Sequence, residues 1–106
     1  KSIVQTTKEH CYLCGRCGGS DPLDKHHVFF GPFRKKSECY GLTVYLCHFR
    51  CHIFGEDSVH KNAEVDKKLK SEVQRKAMKH YGWTVDEFRQ LFGKNYLLEK
   101  DIHGSA

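Results

Sequence analysis

No run of apolar residues in this sequence reaches membrane-spanning length, so a spanning helix is excluded. No signal peptide is visible. Lys1 at the first position suggests a trimmed or processed start, and Gly104-Ser105-Ala106 reads as a terminal remnant. Internal repeats and low-complexity segments are missing. So is any acidic cluster: the 13 Asp and Glu residues are scattered. Apolar residues make up only 39% of 106, enough for one domain with one modest core. A core of this size needs help from metals or disulfides.

Charge and sulfur are what the chain does carry. The formal net charge is +5, which permits an anionic partner without identifying one. There are six cysteines and eight histidines. The even cysteine count allows a secreted disulfide framework, but the spacing favours metal. Cys11-x-x-Cys14 is a knuckle spacing, and Cys47-x-x-x-Cys51 makes a second pair. Cys11, Cys14, Cys47 and Cys51 together form a closed four-thiolate structural zinc site. Cys17 rivals Cys14, because Cys14-x-x-Cys17 has the same spacing. Cys39 is left as a small apolar filler or a free thiol. Zinc use and the missing signal peptide both point to a reducing cytoplasm.

The elements follow from periodicity and punctuation. Residues 1–8 are polar and read as a loose arm. Residues 9–62 hold the knuckle and two strands, and 63–106 a helical extension. Leu23 to Phe30 is apolar, aromatic and β-branched, a short strand ended by Gly31-Pro32. Phe33 to Glu38 is a basic loop. Tyr40 to Cys47 is a second strand, with Leu42, Val44 and Leu46 on one face. Gly55 to Ser58 suits a helix start. Val65, Leu69, Val73 and Ala77 then form one apolar stripe on a long, lysine-rich helix. Gly82 fits its stop. Thr84-x-x-Glu87 is a capping box for a short helix ending at Gly93. Trp83 and that helix should cover the long helix or the hairpin. The fold class is α+β.

Two clusters carry chemistry: Asp24-Lys25-His26-His27-Val28, and Leu46-Cys47 through Cys51-His52. One histidine of an adjacent pair can hold a metal while the other takes a proton from water. That combination suggests hydrolysis, and the basic balance suggests a nucleic acid. Cys-x-x-Cys, then His-His-Val, then Leu-Cys-x-x-x-Cys-His resembles an HNH endonuclease, the ββα-metal or His-Me finger fold with an added zinc site, of the phage or prophage type. The resemblance covers Cys11 to about His60, half the chain. One departure is plain: the family's middle Asn has no counterpart in Cys39-Tyr40-Gly41-Leu42. Its usual role is to brace the loop that holds the general base, so either another residue does this or activity is weaker.

The resemblance implies roles. His27 is the general base, able as a neutral imidazole to accept a proton from water. His26 and His52 are ligands of a catalytic divalent metal, with His60 on the early helix as the third, and His48 and Asn62 in reserve. Consecutive strand residues point to opposite faces, so His26 and His27 can both act only if the strand ends or twists between them. Three imidazoles suit zinc, nickel, cobalt or manganese, with magnesium disfavoured. Arg34, Lys35 and Lys36 would hold phosphates beside the cut. The implied activity is hydrolysis of DNA with little sequence preference, in the cytoplasm of a bacterial or phage-infected cell, with no membrane and with a protein partner or homodimer open. The competing readings are a non-catalytic zinc module binding DNA or protein, and a disulfide-stapled secreted protein.

Overall fold

The computed structural model describes residues 2–5, 9–15, 22–53 and 58–97, without the side chains of Phe49 and Arg50. Cys17, the expected helix start at Gly55–Asp57 and the terminal Gly104-Ser105-Ala106 lie outside these residues. The architecture is a small α+β arrangement around a two-stranded sheet.

Strand β1 (Leu23–His27) pairs antiparallel with β2 (Thr43–Cys47), His27 opposite Thr43 and Leu23 opposite Cys47. Leu42, Val44 and Leu46 are fully buried, as their alternation predicts. β1 stops at His27 and does not reach Phe30. The second strand starts at Thr43, because Tyr40 instead ends a helix. Residues 2–5, expected as a loose arm, are tied to β2 and the residues leading into it. Ile3 N–H donates to the Gly41 carbonyl (2.9 Å), and Ser2 Oγ to the Thr43 carbonyl (2.6 Å). Tyr45 N–H donates to Gln5 Oε1 at 2.7 Å. An uncovered strand edge leaves backbone groups unpaired, and this segment satisfies them.

The expected basic loop is helical. Gly31–Phe33 makes a single 3-10 turn with Pro32 in its first turn, where a missing N–H has no cost. Helix α1 (Arg34–Cys39) follows. Arg-Lys-Lys-Ser-Glu-Cys has no apolar period, so only its favourable Arg, Lys and Glu propensities hint at a helix.

After β2, His48–Ile53 forms a π turn. Such turns are rare and concentrate at functional sites. Helix α2 (Ala63–Tyr81) begins later than the Gly55–Ser58 signal suggests. Asn62 is its cap, accepting from the N–H groups of Glu64 and Val65, while Ser58 sits buried in the preceding turn. Leu69, Val73 and Ala77 of the expected stripe are buried, with Val65 partly so. Gly82 ends α2 at φ 73°, a left-handed position that any residue with a Cβ resists. Helix α3 (Val85–Phe92) opens on the full Thr84–Glu87 capping box.

The core meets the site through Phe29, two residues beyond the end of β1. Its ring lies 5.3 Å from Phe88, 4.8 Å from Phe92 and 5.3 Å from Tyr96. Burying each such ring contributes about 1.5–3 kcal/mol. α3 therefore clamps the segment that follows His27. Buried Gln74 of α2 anchors the chain after α3, donating to Asn95 Oδ1 (2.8 Å) and accepting from Tyr96 N–H (2.7 Å). Trp83 packs against Tyr40 and stacks on Tyr81. Among the described residues, no helix is long and apolar enough to cross a membrane.

Candidate active site

Four cysteines converge at one end of the sheet. The Sγ atoms of Cys11, Cys14, Cys47 and Cys51 all lie within 4.8 Å of one another. Cys11 and Cys14 come from a tight turn closed by Gly15 N–H donating to the Cys11 carbonyl (2.9 Å), with Gly15 at φ 77°. Cys47 ends β2, and Cys51 comes from the π turn. Burial alone raises the Cys11 thiol, but backbone N–H groups of Cys14, Cys47 and Leu13 outweigh it and bring it down to about 7. Burial and the neighbouring Cys14 and Cys11 push Cys47 up to about 12, and burial and Cys11 push Cys51 up as well. A cation held among thiols packed this closely would offset the repulsion between their charged forms. This group could hold a metal ion. Cys39 lies apart and exposed, so it is not a core filler.

A second group joins His26, His52 and His60, again with ligand nitrogens within 4.8 Å. The ring centroids are 5.0 Å apart for His26–His52, 5.5 Å for His26–His60 and 4.8 Å for His52–His60. His60 lies in the turn before α2, not on the helix itself. His26 is 2% exposed, and its Nε2 is buried with no hydrogen-bond partner. A buried polar atom left without a partner costs about 1–3 kcal/mol. Burial, reinforced by His52 and His60, drives the His26 pKa down to about 3, so its ring is neutral with a lone pair to give. Burial and His52 also lower His60. An orphaned imidazole nitrogen facing two further imidazoles fits a transition metal ion.

Asp24 stands behind this group. It shares a face of β1 with His26, two residues away. Its Oδ2 accepts from Nδ1 of His48 and, at 3.1 Å, from Nδ1 of His52. Burial works against the Asp24 carboxylate, but the two histidine hydrogen bonds outweigh it and keep its pKa below the usual value. With Nδ1 of His52 on Asp24, its Nε2 remains as the nitrogen that could serve a metal, as where a carboxylate orients a ligand histidine.

His27 lies at the strand end, and both adjacent histidines line one cleft of ≈ 280 Å³ with Lys25, Phe30, Arg34, His52 and His60. β1 does not end between them, since His27 still pairs with Thr43; the cleft opens at the end of the strand and is lined by both. Glu38 Oε1 lies 2.7 Å from His27 Nε2, and Arg34 Nε donates to His27 Nδ1 at 3.4 Å. Ser37 of α1 is fully buried beneath this region. Ser37 Oγ donates to the Leu42 carbonyl (2.6 Å) and accepts from Phe29 N–H (3.3 Å). It thereby ties the exit of β1 to the entry of β2.

The three cations expected to hold phosphates separate. Arg34 lines the cleft, and with Lys35, Glu38, Cys39 and His27 it also lines an adjoining hollow of ≈ 410 Å³. Lys36 turns away: its Nζ donates to the Leu91 carbonyl at 2.9 Å, near the end of α3.

No family model, curated protein or solved structure matches this chain. Three residues around the cleft stand outside the motifs. Asp24 has a usable signal in the sequence, its i, i+2 relation to His26 on a strand. Glu38 and Ser37 have none, because α1 carries no apolar period.

Proposed function

We propose that the chain is a metal-dependent endonuclease of the HNH type, hydrolysing DNA phosphodiester bonds with little sequence preference. The observation that carries this reading is one cleft holding both a braced histidine, His27, and a three-imidazole group, His26, His52 and His60. A divalent cation on those imidazoles would neutralise charge on the scissile phosphate and stabilise the leaving 3′ oxygen. Zinc, nickel, cobalt or manganese suits the donor set better than magnesium. The four cysteines hold a structural zinc, which joins the knuckle to the π turn carrying His52.

The protein's own groups do the rest. Nε2–H of His27 donates to Glu38, which leaves the Nδ1 lone pair as proton acceptor. The Arg34 hydrogen bond to Nδ1 is long and readily exchanged. When a phosphate enters, Arg34 turns to its oxygens and Nδ1 becomes free to take a proton from the attacking water. Lys35 holds a neighbouring phosphate in the adjoining hollow.

The test is plasmid cleavage with a panel of divalent metals, run beside His27→Ala. His27→Ala is expected to keep its fold and metal content and to lose on the order of a hundred- to ten-thousand-fold in rate. Full activity in that variant would sink the assignment of the base. No metal-dependent cleavage by the wild type would sink the nuclease.

A further inference from the structure

We propose that Asp24, His48 and His52 form a second divalent-cation site, distinct from the three-histidine group and sharing His52 with it. Their three donor atoms lie within 4.8 Å of one another. Nδ1 of His48 and Nδ1 of His52 both converge on one oxygen, Asp24 Oδ2. The backbone holds them there. Asp24 is fixed in β1 opposite Leu46, and His48 N–H donates to the Pro22 carbonyl at 2.8 Å. The π turn sets the pattern: Cys47 and Cys51 are four apart and reach the sulfur cluster, while His48 and His52, also four apart, reach Asp24. The side chains of Asp24 and His48 are 32% and 33% exposed, so a cation enters from solvent without opening the core. One carboxylate oxygen with two imidazole nitrogens suits zinc, nickel, cobalt or ferrous iron, and not calcium or magnesium.

Sharing His52 makes the two sites antagonists. A neutral imidazole has one lone pair. With Nδ1–H on Asp24, His52 gives Nε2 to His26 and His60. With a cation on Nδ1, the proton moves to Nε2 and that ligand is withdrawn. The three-histidine group fills first, because Nε2 of His26 is buried without a partner, whereas a cation at Asp24 must displace two existing hydrogen bonds. The second site therefore fills only at higher metal concentration, with an affinity weaker by roughly tenfold or more. It gives the protein a brake under metal excess.

The experiment is calorimetric titration with Ni²⁺ of protein whose cysteine site is loaded with zinc. DNA cleavage is not the readout, so the outcome is separable from that of the nuclease reading. Wild type is expected to show a tight event and a weaker one. The double variant His26→Ala/His60→Ala is expected to keep the weaker event alone, and adding His48→Ala to abolish it. Absence of Ni²⁺ binding by the folded double variant, or binding that survives His48→Ala, overturns the proposal and leaves Asp24 only as a brace for His52. Should the buried His26→Ala change unfold the protein, His60→Ala alone serves, since His60 is exposed in a turn. It should weaken the tight event and leave the weak one intact or strengthened, because the competing claim on His52 is reduced. Loss of the weak event in His60→Ala, or its survival in His48→Ala, also overturns the proposal.

Discussion

Glu38 reaches back eleven residues from α1 to place Oε1 2.7 Å from Nε2 of His27. The same carboxylate accepts from Lys25 Nζ at 2.9 Å. Those two partners, Lys25 first, hold the Glu38 carboxyl down to about 2. Glu38 is therefore ionised at any ordinary pH, and its acceptor oxygen selects the His27 tautomer with the proton on Nε2.

Removing that acceptor should slow catalysis without touching metal content. Glu38→Ala is expected to lower kcat by roughly tenfold or more, below the on-the-order-of-hundredfold minimum for losing the base itself. Glu38→Gln can still accept a hydrogen bond and should recover part of the rate. Single-turnover cleavage with metal analysis checks this. Equal rates in wild type and Glu38→Ala would remove Glu38 from the mechanism.

The same carboxylate gives a pH signature in stability. Its folded pKa is depressed, so its contribution is present above the ordinary value of 4.5 and is lost as pH falls toward about 2. Glu38→Gln should be slightly less stable than wild type at neutral pH, with the gap closing across that acid window. The effect should be small, because the side chain is half exposed and solvent screens it. Urea midpoints measured through the window provide the comparison.

What the sequence revealed follows its physics. Leu42, Val44 and Leu46, the α2 stripe and the Thr84–Glu87 box were legible because periodicity and capping are local signals. The cysteine spacing was legible too, and the structure brings those four together; His26, His52 and His60, singled out by the family resemblance and not by spacing, also converge. What stayed hidden is non-local. α1 has no apolar period, so its Ser37 and Glu38 gave no hint of reaching β1. Lys36 looked like its neighbours Arg34 and Lys35 until α3 supplied a carbonyl for it. Residues 2–5 looked loose because the strand they bond to lies some forty residues away.

Ser37 provides a direct test of how the exit of β1 is tied to the entry of β2. Ser37→Ala leaves the buried Leu42 carbonyl and Phe29 N–H each short of a partner. The Leu42 carbonyl keeps its bond from Val28 N–H (3.1 Å), so the loss is partial. A destabilisation of about 1–3 kcal/mol is expected. Ser37→Asn, which restores a donor and an acceptor only by overfilling the site, should not fully recover it. Urea unfolding would show no change if Ser37 were incidental.

The cysteine group should behave as part of the fold. Chelation strong enough to strip a structural zinc is expected to unfold the chain, since the cluster joins the knuckle, the end of β2 and the π turn. Cys47→Ser and Cys51→Ser should act similarly. Cys39→Ser should not, because Cys39 is exposed and apart from the cluster. Circular dichroism during titration with a chelator checks this. An unchanged cooperative thermal transition after complete metal removal would rule out a structural site.

The three cations of α1 should now separate in DNA binding. Arg34 and Lys35 face the cleft and its adjoining hollow, while Lys36 is committed to the Leu91 carbonyl. Removing a side chain that neutralises one phosphate of duplex DNA should flatten the log–log salt dependence of affinity by about 0.9. Arg34→Ala and Lys35→Ala should therefore each show that change and weaken binding equally across sequences, because a phosphate carries no base information. Lys36→Ala should leave the slope unchanged and instead lower stability slightly, since it removes one exposed hydrogen bond to α3. Arg34→Ala should also slow cleavage beyond its effect on affinity, since Arg34 touches both His27 and the cleft. Fluorescence anisotropy over a salt series, with single-turnover rates at saturating protein, separates these effects. An unchanged slope in both Arg34→Ala and Lys35→Ala would make them solvent-facing charge and shift the DNA path to the lysine-rich face of α2.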